Sequence, residues 1–256
     1  MTRRQLLTLV GVTTAVWFVF SSSWVLLPLR LLVTLVHEAG HAVALEVLGG
    51  DVQYVIINGS GGGLTSGRLP APTSSFDQVI VSSAGYLGTA IVGGLLLEAS
   101  TRLRRGRIGT VALAVVVVAI GLAWVPWNVE PDAFSAAATG SGTGDGRFTI
   151  LVCVLAVVAL VGLAWQPIVR LRVGAVVVLA TAFCLASIDD LRFVLDLSSR
   201  GGHSDAAAAA AVTPLSSWMW AAIWLVMGGV ACALGLWAAL SDDGEPAGGT
   251  ISLGSE

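Results

Sequence analysis

The sequence predicts an all-α polytopic membrane protein of about seven transmembrane helices, with a small β-hairpin after the second. Three observations predict it. The chain of 256 residues is 55% hydrophobic and only 11% charged, with mean hydropathy +0.87, whereas globular proteins carry about 25% charged residues. The apolar residues gather in long runs, close to the ~20 residues that one bilayer crossing requires. Between the second and third runs the pattern changes to a short β-branched, glycine-punctuated stretch. The formal charge of −3 carries no signature of nucleic-acid binding, and no nucleic-acid partner is expected. A phosphate-binding glycine loop is excluded, because the glycines at 59–63 lack the Lys-Ser/Thr such a loop needs.

The apolar runs lie at 5–25, 28–49, 75–99, 108–126, 148–166, 168–188 and 215–240. Arg3 and Arg4 precede the first, and Ser21-Ser22-Ser23 follows its core. That outline fits a cleaved signal peptide as well as an anchor. Residues 1–27 are read as a retained anchor helix, because the next run follows at once. Pro28 suits the first turn of the second helix, and Gly49-Gly50 ends it. Residues 51–72 form the hairpin: Val52–Ile57 is strand-like, Asn58–Gly63 turns, and Leu64–Leu69 returns before Pro70 and Pro72.

The run 75–99 carries Gly85, Gly88, Gly93 and Gly94, small residues that let helices approach closely. Gly85 and Gly88 are expected against the second helix. Arg102, Arg104, Arg105 and Arg107, and then Arg170 and Arg172, mark basic turns on one side of the bilayer. The positive-inside rule makes that side cytoplasmic, whereas Arg3 and Arg4 favour the opposite orientation. Residues 128–147 are polar and mostly acidic. Trp24, Trp124, Trp127, Trp165, Trp218 and Trp220 lie near helix ends, as an aromatic belt requires. Cys153, Cys184 and Cys232 sit singly in apolar runs and read as small buried side chains. Residues 1–240 are one membrane domain, and 241–256 are an acidic, glycine-rich tail expected to be disordered.

The chemistry concentrates in the second run. His37 and His41 are four apart, so on a helix they share a face with Cβ atoms roughly 5–6 Å apart. Two imidazoles so placed can hold one metal ion at ~2.0–2.1 Å each. Glu38 follows the first His and can reach a metal-bound water without being a ligand. This is the H-E-x-x-H arrangement of two zinc ligands and a general base. Ionisable residues inside a bilayer cost about 2.5–3.5 kcal/mol each on insertion scales, so three in one apolar run demand a compensating role.

Three segments resemble the site-2-protease group of intramembrane zinc metalloproteases, and within it the small bacterial branch without a PDZ domain. They are Val36-His37-Glu38-Ala39-Gly40-His41-Ala42, Ser83-Ala84-Gly85-Tyr86-Leu87-Gly88-Thr89, and Ser204-Asp205-Ala206 ahead of Val212-Thr213-Pro214. Tyr86 stands where the family usually has Pro. The resemblance implies a zinc-dependent endopeptidase in the cell membrane, the plasma membrane of a bacterium. Its substrate would be the transmembrane segment of another protein. It also implies a small sheet after the zinc-binding helix, whose edge could pair with an unwound substrate strand.

A catalytic zinc usually has three protein ligands and one open position. Counting crossings, Asp189, Asp190, His203 and Asp205 all return to the side of His41, whereas Glu98 lies on the far side. Asp205 is the first choice, because it matches the family's Ser-Asp-Ala segment. It competes with a helix-capping role for the same Ser204-Asp205 pair. Asp190 is the alternative ligand, since it ends a late apolar helix. In the expected mechanism Glu38 activates the zinc-bound water and passes its proton to the leaving amine. The competing function is a non-proteolytic metal-binding membrane protein, a transporter or regulator, which an incomplete ligand set would favour.

Overall fold

The computed structural model describes residues 1–101, 103–125, 146–197 and 204–241, and for 103–106 and 186–197 the backbone alone. Residues 128–145 of the expected polar stretch 128–147, Trp127, His203, the tail beyond Ser241, and the side chains of Asp189 and Asp190 lie outside the described residues. Eight helices appear in that set: α1 Arg3–Phe20, α2 Leu27–Val47, α3 Ser75–Ser100, α4 Leu103–Ala123, α5 Gly146–Ala164, α6 Val169–Leu197, α7 Asp205–Ala211 and α8 Ser217–Ser241. One antiparallel sheet, β1 Asp51–Ile57 with β2 Gly63–Arg68, follows α2.

Local chemistry accounts for the ends. Thr2 caps α1 through a capping box with Gln5, and Ser74 caps α3 by accepting from Asp77 N–H. Pro28 sits in the first turn of α2, where its missing N–H is not needed. The helix stops before Gly49, whose φ of 75° suits glycine. Helix α6 runs on to Leu197, past the apolar run that ends at 188. Apolarity stops at the first charged residues there, but backbone hydrogen bonding does not.

Among the described residues, four segments are long and apolar enough to cross a bilayer: Trp24–Val47, Ser75–Ser100, Gly146–Ala164 and Ser217–Ser241, with Arg107–Ala123 a shorter apolar helix. Their outward faces carry exposed aliphatic side chains, including Leu95, Leu122, Val158 and Leu234. Such an exterior suits a lipid solvent.

Helix α3 is the hub, packing against α2, α6 and α8. Its small residues make this possible. Gly40 of α2 backs onto Ala84 and Gly85, Gly93 fits against Ala180 and Cys184 of α6, and Gly94 abuts Ala231 and Gly235 of α8. Leu35, Val36, Val117, Val177 and Phe183 fill the core between the helices.

One sequence expectation is corrected here. Cys184 and Cys232 are not independent apolar side chains. They pair in a disulfide between α6 and α8, with Cα atoms 5.8 Å apart, while Cys153 is buried and free. The two lie 48 residues apart on different helices, so no local spacing announced them.

Candidate functional site

Helix α2 presents two polar stripes. The first is Arg30, Thr34 and Glu38, spaced by four, and it faces the hairpin. Arg30 Nη2 donates to Ser60 O at 2.8 Å, Thr34 Oγ1 donates to Gly61 O at 2.8 Å, and Thr65 Oγ1 lies 2.7 Å from Glu38 Oε2. The second stripe is His37 and His41, and it faces α3. Thus adjacent residues of one motif serve different neighbours, because successive helix positions are turned by about 100°.

The imidazoles converge. His41 Nδ1 is 2.6 Å from Val81 O. A carbonyl only accepts, so His41 donates from Nδ1 and turns Nε2 inward. His41 Nε2 and His37 Nε2 are 3.0 Å apart, and Asp205 Oδ2 lies 3.2 Å from His37 Nε2 and 3.3 Å from His41 Nε2. A tetrahedral ion with bonds near 2.0–2.1 Å would set its ligand atoms ~3.3 Å apart. The three donors are thus spaced at about the edge length of such a tetrahedron, as three of its corners would be. Gly85 keeps the space open: a Cβ there would lie 2.5 Å from His37 Nε2 and 2.6 Å from His41 Nε2. Among the described residues, His37, His41 and Asp205 are the group with the donor set and closeness to hold a metal ion.

Asp205 arrives on α7, which rests on α3 and α8 through Ala206, Ala209, Tyr86, Ala221 and Trp224. The capping role goes to Ser204, whose Oγ accepts from Ala207 N–H at 3.2 Å. The Asp205 carboxylate is thereby left for the imidazoles. Burial alone would push that carboxyl up, but the charge of His41 and the hydrogen bonds from both histidines hold it well below the usual carboxylate range.

Tyr86 braces the cluster. Its ring meets His37 edge-on, centroids 4.6 Å apart, and stacks on Trp224 at 4.8 Å. Trp224 Nε1 in turn donates to Ser83 Oγ at 2.9 Å. Tyr86 thus packs directly on the first histidine of the motif.

Glu38 is buried at 6% exposure and lies under β2. A Cβ at Gly63 would come within 2.6 Å of Glu38 Oε1, so only glycine lets the strand lie this close. The outer edge of β1 is already used: Val55 N–H donates to Trp124 O at 2.9 Å, and Ile57 N–H donates to Thr149 Oγ1 at 3.0 Å.

Of the residues singled out in the sequence, His37, His41 and Asp205 meet, and Glu38 stands beside them on the hairpin side of α2. Glu98, near the far end of α3, takes no part in the group. Reading the sequence missed Arg30, Thr34, Thr65 and the Val81 carbonyl. The spacing of Arg30, Thr34 and Glu38 was a usable signal for the first two; nothing local pointed to the others.

The family model described as Peptidase M50B-like matches residues 8–140 and 146–235. No curated protein and no solved structure matches the chain. The match spans most of the sequence, and the chain belongs to the Peptidase M50B-like family.

Proposed function

We propose that this member of the Peptidase M50B-like family is an intramembrane zinc endopeptidase that hydrolyses peptide bonds in membrane-embedded segments of other proteins. The observation that carries the reading is the convergence of His37 Nε2, His41 Nε2 and Asp205 Oδ2 within 3.0–3.3 Å beside the buried Glu38. His37, His41 and Asp205 would hold the zinc. When bound, zinc supplies Lewis acidity, polarising a carbonyl and lowering the pKa of water to about 7.

The chain's own residues do the rest. Glu38 accepts the proton of the attacking water and delivers it to the leaving amine. Val81 and Tyr86 hold the imidazoles in register. The backbone of a helical substrate is hydrogen-bonded to itself, so it must unwind before cleavage. The β2 edge, with β1 already occupied on its other side, is the surface that receives the extended strand. Seven crossings, with α1, α4 and α6 joining the four most apolar segments, fit this reading. Membrane location follows, in the plasma membrane of a bacterial cell.

The transporter or regulator alternative needed an incomplete ligand set, and no observation favours it. The test is cleavage by purified protein in detergent with zinc, using quenched-fluorescent peptides of about 20 apolar residues with a central Asn-Gly. Wild type should cleave, and Glu38→Gln should fold normally, keep its zinc and lose activity by about 10²-fold or more. Undiminished cleavage by Glu38→Gln would remove the general base and the reading with it.

A further inference from the structure

We propose that Thr65 is the positioning residue for Glu38 and ties that carboxylate to the strand edge where substrate docks. The inference rests on the peptidase reading above and deepens it. Thr65 Oγ1 lies 2.7 Å from Glu38 Oε2 and 2.9 Å from Glu38 O, a side chain on β2 gripping both ends of one residue on α2. Both partners are acceptors, so the single hydroxyl proton is the donor, and the shorter contact is to the carboxylate. On the other side Gly63 lies flush against the same carboxylate. Glu38 is therefore pinned by two alternate residues of one strand.

The register decides what else those two residues do. Val55 pairs with Thr65, Ile56 with Leu64 and Ile57 with Gly63. Val55 and Ile57 send their N–H groups away from β2, to Trp124 and Thr149. In an antiparallel ladder, residues opposite such positions also turn their main-chain groups away from the partner strand. The N–H and C=O of Gly63 and Thr65 therefore face the outer edge of β2. Among the described residues, no hydrogen bond takes them there. A substrate strand adding to this edge would bond the backbone of the same two residues whose inward faces hold Glu38. Docking and base placement share one strand, with no intervening element to let them drift apart.

The chemistry separates the two duties. The main chain of Thr65 binds, and its hydroxyl positions. Replacing the hydroxyl by a methyl should therefore damage turnover and spare binding. The experiment compares wild type, Glu38→Gln, Thr65→Val and Thr65→Ser in the zinc-supplemented peptide assay, with zinc content measured on each. General acid–base groups contribute about 10²–10⁴-fold, so a misdirected base should cost Thr65→Val about tenfold or more in kcat. KM should stay within about twofold, because a loss confined to the transition state leaves substrate binding alone. Zinc content should match wild type, and Thr65→Ser, which keeps the hydroxyl, should recover most of the loss.

Wild-type kcat in Thr65→Val beside an inactive Glu38→Gln overturns the role of Thr65 and leaves the peptidase reading standing. A Thr65→Ser as impaired as Thr65→Val, or a loss of zinc in Thr65→Val, makes Thr65 a packing residue and also overturns the proposal. A wild type that never cleaves, or a Glu38→Gln that does, overturns the peptidase reading and this inference with it.

Discussion

Gly85→Ala is the sharpest perturbation of the His37, His41 and Asp205 group, because its sign is set by two opposed effects. Helix propensity favours alanine in a helix interior by roughly 0.5–1 kcal/mol. The tertiary contact opposes it. The added Cβ would stand 2.5 Å from His37 Nε2 and 2.6 Å from His41 Nε2, against the ~3.5 Å at which carbon contacts become favourable. The shortfall is about 1 Å against both donor atoms at once. Neither ring can simply retreat. His41 is tied to Val81 O at 2.6 Å, and Tyr86 stands against His37. Separating α2 from α3 would break the close approach of Gly40 to Ala84.

Forcing such a group into a packed site costs about 1–3 kcal/mol, which exceeds the propensity gain. Donors moved out of their 3.0–3.3 Å triangle should weaken zinc binding by about 10–100-fold. That corresponds to about 1.4–2.8 kcal/mol. The assay is competitive zinc titration against a chromophoric chelator in detergent, beside thermal unfolding of the metal-free protein. Gly88→Ala is the control, since its Cβ would meet Gly40 Cα at an ordinary 3.7 Å. It should leave zinc affinity unchanged. Wild-type zinc affinity in Gly85→Ala would refute the reasoning, because the histidine face would then not be where metal binds.

His37→Ala should abolish zinc binding and Asp205→Ala should weaken it, read as zinc per chain after gel filtration; full retention in Asp205→Ala would shift the third ligand to Asp190. Thr34→Val should lower stability by about 1 kcal/mol by removing its bond to Gly61 O. Arg30→Met should loosen the same turn, and faster hydrogen exchange at 58–63 with α2 unaffected would register both.

The sequence by itself determined what is periodic and local. The His37, Glu38 and His41 spacing places two imidazoles on one helix face wherever that helix sits. The β-branched stretch and its glycines specify a hairpin, and the observed strands Asp51–Ile57 and Gly63–Arg68 lie within a residue of the expected ones. Pro28 and Gly49-Gly50 bound α2 by backbone chemistry alone. Small residues in the run 75–99 announced a close helix contact, and Gly85 and Gly88 do meet α2.

What only the tertiary structure decided is every partner that lies far along the chain. Asp205 reaches His37 across 168 residues, while Ser204 beside it takes the helix cap. Thr65 lies 27 residues from Glu38, and the cysteine pair is separated by 48. Helical and strand periods say which way a side chain points from its own element. They carry no information on which element stands opposite. That is settled by how glycine- and alanine-lined faces let α3 draw α2, α6, α7 and α8 together, a property of packing that no single segment contains.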